Sequence, residues 1–177
     1  MRSSLIFLGY LDDADVAWMR QAGDRVSREP GELVVDSGIT NHDIFLLLDG
    51  KCRVEAPNGM PLDAIHSGDL IGEVSYVDKR RTTARVCAES RVTLAHFSGR
   101  VLGDKLATDT AFAARFYRAT ASVLAYRLRR NIQIAITGET DVLDDAGVEF
   151  AGEIDPVDLD MTAKAGARLT FLLQALS

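Results

Sequence analysis

The chain has 177 residues, of which 47% are hydrophobic and 26% charged, a composition that suits one globular domain with a modest extension. It excludes a fibrous or disorder-dominated chain. The net charge of −6 is unevenly placed: residues 1–136 hold 18 basic and 17 acidic side chains (+1), whereas residues 137–177 hold 2 and 9 (−7). A neutral body with an acidic tail lacks the clustered cations that a nucleic-acid surface needs, so no direct DNA binding is expected.

The first apolar run, SLIFLGYL, is far shorter than the roughly 20 residues of a membrane span. It runs into Asp12 and Asp13 without a small-residue cleavage site, which makes a cytoplasmic protein with no membrane association the expectation. Residues 12–22, DDADVAWMRQA, open with acids suited to a helix N-terminus and turn Val16, Met19 and Trp18 toward a core, predicting a short opening helix. From about residue 24 the chain breaks into short strand-like runs cut by REPGE, DSG, LDGK, PNGM and HSGD. That punctuation predicts an α+β, mainly β fold: an antiparallel β-roll or jelly roll between the short helix and a long C-terminal one. Within it, DIFLLLDGKCRVE reads as two strands joined at Asp49-Gly50, and CRVEAPNGMPLDAI as a hairpin turning at Asn58-Gly59, where both residues tolerate positive φ.

Beyond ARVCAESRVTLAHF the pattern becomes helical. From Asp104 to about Ile136 there is no proline, and Phe112, Phe116, Leu124, Leu128 and Ile132 recur at helical spacing, predicting a short helix and then a long one. Gly138 is a reasonable stop. The chain then divides into a domain over residues 1–136 and, over 137–177, an acidic connector containing Pro156 with a short amphipathic terminal helix. Ala165, Leu169, Leu172, Leu173 and Leu176 form one stripe on that helix, to pack on its own domain or to dock a partner.

Cys52 and Cys87 have no spacing for zinc and read as reduced strand thiols, while His42, His66 and His96 form no HxH or HExxH pair for a metal. No GxSxG elbow and no cupin-like His/Glu set is visible. No enzyme, resident cofactor or metal site is therefore expected.

The stretch with chemical content is residues 68–88, GDLIGEVSYVDKRRTTARVCA. A short helix starting near Glu73 would aim unpaired backbone N–H groups at an anion, and Gly72 would let a ligand approach the backbone. The element order, the PGE turn at 30–32, the DGKCRVE strand pair and GDLIGE followed by TARVCA together resemble the cyclic-nucleotide-binding domain family over roughly residues 5 to 134. The resemblance implies a β-roll whose cassette holds the ribose and phosphate of a cyclic mononucleotide, cAMP or cGMP. It places Glu73 on the ribose 2′-hydroxyl, the Gly72 and Glu73 backbone with Thr82, Thr83 and Ala84 on the phosphate, and Ile71 and Val86 as apolar lining. Asn131 falls where the family sets a polar group over the purine edge, and Thr83 where a hydroxyl helps hold guanine in some members.

The family's phosphate-clamping arginine is replaced here by Thr82. Either the loop is tighter than usual and Arg81 swings in, or Arg80 and Arg81 are solvated. A lost charge-assisted hydrogen bond of about 1.5–3 kcal/mol weakens binding roughly ten- to a hundredfold. Two functions follow: a stand-alone sensor acting through conformational change, or a degenerate copy of the fold serving as an interaction or oligomerisation scaffold. In many relatives the long helix is a dimer seam, and Leu124, Leu128, Asn131 and Ala135 follow the 4-3-4 spacing of one, so a homodimer is expected, with a protein partner as the other route for output. The roughly 40 residues after that helix, acidic on balance, are too few for the winged helix-turn-helix of the family's transcription factors, so none is expected.

Overall fold

The computed structural model describes residues 3–137 and 156–176. Helices α1 (Ser3–Tyr10) and α2 (Asp13–Ala22) precede strands β1 (Asp24–Arg28), β2 (Leu33–Val35), β3 (Ile44–Asp49), β4 (Lys51–Glu55), β5 (Pro61–His66) and β6 (Leu70–Ile71). Helix α3 (Glu73–Asp78), strands β7 (Arg85–Ala88) and β8 (Val92–Phe97), and helices α4 (Gly99–Thr108), α5 (Thr110–Thr137) and α6 (Pro156–Ala175) complete the order. The strands form two antiparallel four-stranded sheets, β1-β8-β3-β6 and β2-β7-β4-β5, so the expected β-roll with flanking helices is borne out.

Strand β3 shows how the layers are held. Its five residues Ile44 to Leu48 are all buried, and alternation sends Phe45 and Leu47 between the two sheets and Ile44, Leu46 and Leu48 toward the helices. One core lies inside the roll, with Val35, Cys52, Ile65, Ile71, Val86, Val92 and Leu94. The other lies between the first sheet and the helices, with Phe7, Leu8, Val16, Met19, Phe97, Phe112, Phe116 and Leu172. A void of about 10 Å³ in this second core, against Phe7, Leu70 and Phe116, has room for one water and no ligand.

Helix α1 has no counterpart in the expectation of a single opening helix. SLIFLGYL is apolar on every side and has no stripe to read, because α5 and α6 cover it together and leave Phe7 1% and Leu8 0% exposed. Helix α2 starts with a reciprocal cap: Asp12 Oδ1 accepts from the Asp15 N–H, and Asp15 Oδ2 from the Asp12 N–H, both at 2.9 Å. Arg115 of α5 then grips Asp15 with two bonds of 2.6 and 2.8 Å and fixes α5 on α2.

The terminal helix α6 is longer than expected and begins at Pro156, since proline is tolerated in a first helical turn. Ala165 and Leu172 are fully buried against the domain, and Arg168 bonds Asp13 and the Leu8 carbonyl. The helix therefore packs on its own α1 and α2. Most of the acidic connector, residues 138–155, lies outside the described residues. Among the described residues, no helix is long and apolar enough to cross a membrane.

Candidate functional site

Strand β6 consists of the buried pair Leu70 and Ile71, and the chain then turns at Gly72 with φ +91°. A Cβ there would stand 2.6 Å from the Asp43 carbonyl oxygen, so both the left-handed conformation and the close approach require glycine. The loop carrying Asp43 is pinned from the other side as well. Gly99, at the start of α4, lies so near that a Cβ would stand 2.1 Å from the His42 oxygen, and its N–H donates to Asp43 Oδ1 at 2.9 Å. His96 closes the cluster at 2.9 Å from Asp43 Oδ2.

Glu73 opens α3 and is 2% exposed. Its carboxylate is held by Arg127 of α5, whose other terminal nitrogen donates to the Leu70 carbonyl at 3.0 Å. Burial pushes the Glu73 carboxyl above its usual range, and Arg127 pulls it only partly back. The carboxylate expected to receive a ligand hydroxyl is thus closed off by the long helix.

The far side of the cassette carries no cation inward. Arg81 is exposed and donates to the Gly38 carbonyl at 3.0 Å, outside the roll. Thr82 is buried because its hydroxyl staples the loop after β2: it donates to the Asp36 carbonyl at 2.7 Å and accepts the Ile39 N–H at 3.1 Å. Two backbone bonds, from Gly38 N to Thr82 O and from Thr82 N to Ile39 O, complete the staple. Thr83 is exposed, Ala84 half-buried, and Asn131 exposed on α5, so the structure brings these three no nearer to Glu73 by any hydrogen bond among the described residues.

Ile71 and Val86 are buried in the roll's own core. Arg85 sits on the opposite face of its strand, where Glu55 takes both Arg85 (2.7 Å) and Arg53 (2.5 Å). Inside the roll, Val86 pairs with Val54 and Val54 with Asp63, so one row across β7, β4 and β5 runs valine, valine, aspartate. Arg130 of α5 bonds that aspartate. Arg127, Arg130 and Asp63 escaped the sequence reading. The available signals were the i, i+3 spacing of two arginines on one helix face and the shared parity of Asp63 with inward Ile65.

Beyond Val123 three apolar residues of α5 turn outward: Leu128 is 61%, Ile132 50% and Ile136 74% exposed. The family model for the cyclic nucleotide-binding domain matches residues 25–109, from β1 through the cassette to the end of α4. Residues 25–109 are a cyclic nucleotide-binding domain. No curated protein matches the chain. Among solved structures, a cyclic nucleotide-binding domain from Methylobacillus flagellatus KT is similar at 18% identity with a TM-score of 0.66, over 73% of this chain and 75% of that one. The N-terminal domain of a transcriptional regulator from Streptomyces coelicolor A3(2) is similar at 25% identity and a TM-score of 0.56, over 77% and 91%. The regulatory subunit of a cAMP-independent protein kinase A from Trypanosoma brucei is similar at 20% identity and 0.57, over 75% of this chain and 45% of that one. The cyclic nucleotide-binding domain match takes in Glu73 and Asp63 and stops before α5, so both arginines that close the roll lie outside it.

Proposed function

We propose that the protein is a regulatory module that takes a cyclic mononucleotide, cAMP or cGMP, into the roll and answers through α5. The observation that carries this is the Glu73–Arg127 bridge. The carboxylate suited to a ribose hydroxyl is held by the helix that would transmit the signal, so ligand and Arg127 are alternative partners of one group. Occupancy by ligand frees Arg127 from Glu73 and repositions the C-terminal half of α5.

In this scheme Glu73 holds the ribose, and the backbone at Gly72, Glu73, Thr83 and Ala84 faces the phosphate. Ile71 and Val86 form the apolar floor, and Asn131 meets the purine edge once α5 shifts. Thr82 contributes backbone only, its hydroxyl being committed to Asp36. With Arg81 held at Gly38, the cassette loop supplies no clamp, a loss of about ten- to a hundredfold in affinity wherever no other cation meets the phosphate. Output passes through the outward stripe of Leu128, Ile132 and Ile136, which suits pairing with a second copy in the cytoplasm or a protein partner, without DNA contact and without catalysis.

A second function is favoured by the fixed positions of Thr82 and Arg81: a scaffold of the same fold that binds no nucleotide. The fold alone does not decide, since it also serves the cAMP-independent kinase subunit. Titration calorimetry with cAMP and cGMP separates the two. The sensor binds both before and after Arg127→Met, more tightly after, and loses binding in Glu73→Ala. Absence of heat at millimolar nucleotide in the wild-type and Arg127→Met proteins leaves the scaffold.

A further inference from the structure

The sequence of β5, PLDAIH, places an acid where the roll should be apolar. Ile65 is 4% exposed opposite Cys52, and Asp63, two residues earlier on the same face, lies beside Val54. Its Oδ1 accepts the Ala64 N–H at 2.7 Å and one terminal N–H of Arg130. The two side chains are 17% and 18% exposed, so this pair stands at the closing end of the roll and largely out of water.

Arg130 is only partly used. Its Nε–H is buried and has no acceptor, although a guanidinium offers five donors in a rigid fork. Buried donors of this kind are rarely left unfilled, and the fork geometry matches a phosphate oxygen pair. Among the other cations around the cassette, Arg80 is exposed to solvent and the following are committed elsewhere. Arg81 is at Gly38, Arg53 and Arg85 are at Glu55 on the outer face, Lys79 lies 3.9 Å over the Tyr76 ring, and Arg127 holds Glu73 and Leu70.

We infer that Arg130 is the anion partner of this roll, a role that presupposes the cyclic nucleotide proposed above. Its open Nε–H takes a phosphate oxygen from the α5 side, supplying the charge that Thr82 does not supply from the cassette loop. Asp63 holds the guanidinium in place while the site is empty and competes with the incoming anion. The ligand is accordingly selected for its phosphate by the long helix, and the same helix carries both the latch on Glu73 and the anion clamp.

Calorimetry of the full chain with cGMP and cAMP, and with guanosine and adenosine as phosphate-free probes, tests this. Arg130→Met is expected to weaken the cyclic nucleotides tenfold or more, toward the nucleosides, and Arg130→Lys to recover only part. Arg81→Met should stay within twofold of wild type, and Asp63→Asn should bind the cyclic nucleotides severalfold more tightly. Melting curves check each variant, and if Arg130→Met does not fold, Arg130→Lys and Asp63→Asn decide. A tenfold loss in Arg81→Met with the Arg130 variants within twofold would overturn the inference while leaving nucleotide binding intact. No binding to wild-type or Asp63→Asn protein removes the nucleotide function itself, and this clamp with it.

Discussion

Replacing Arg127 by methionine keeps most of the side-chain stem and deletes the charge that faces Glu73. The carboxylate is 2% exposed, so the remaining anion is buried without a cation. Breaking a buried pair from one side costs about 3–5 kcal/mol. In a chain of this size that lowers the melting temperature by roughly 6–20 °C. The loss depends on pH in a defined direction. Burial holds the folded carboxyl above its ordinary value of 4.5, so between these two values the folded state keeps a proton that the unfolded chain has released, and stability falls as pH rises through that interval. Without Arg127 the interval extends further upward. Calorimetric or fluorescence melts of Arg127→Met should therefore show the deficit shrinking from pH 8 to pH 5, and Glu73→Gln added to Arg127→Met should restore most of it at pH 8. A deficit below about 1 kcal/mol, or one of equal size at both pH values, refutes the buried bridge.

Gly72→Ala combines the left-handed strain with a Cβ 2.6 Å from the Asp43 oxygen, and should cost about 2–4 kcal/mol in chemical denaturation, whereas the same change at an unstrained glycine stabilises by up to about 1 kcal/mol. For Asp15, burial raises the carboxyl, but the bonds from Arg115 and the Asp12 N–H outweigh it and leave it below its ordinary 3.8. Its contribution is present above that value and lost as pH falls through the folded one, so Arg115→Met should be most damaging above pH 5 and progressively less so in acid, read from pH-dependent urea midpoints. Leu128→Glu with Ile132→Glu should abolish self-association in light scattering without lowering the melting temperature, because both side chains are at least half exposed in the single chain.

The roll was legible because its turns announce themselves. The strand junction at Asp49-Gly50, which carries the chain from β3 of one sheet to β4 of the other, and the β4–β5 hairpin at Asn58-Gly59 fall where expected, with both glycines at positive φ, and α3 starts at Glu73. The split of the helical region at Asp109 follows from the same logic, since that carboxylate caps Phe112 at 2.8 Å. Helix α1 was not legible, because a segment buried on all sides has no periodicity. Nor was the closure of the cassette. Glu73 is 54 residues from Arg127, and Asp63 is 67 from Arg130. Local pattern carries no information about pairs so far apart, and the exposed half of α5 looks like its buried half in hydrophobicity.

Helix α6 gives the chain an order of events. Phe7 and Leu8 are made long before Leu172, which belongs to the surface that covers them. During synthesis, α1 must wait for α6 before its apolar sides are sealed, and until then it is a sticky segment. Chains arrested before α6 should be more protease-sensitive at residues 3–10 than the released protein, and equal sensitivity would show that α5 alone suffices.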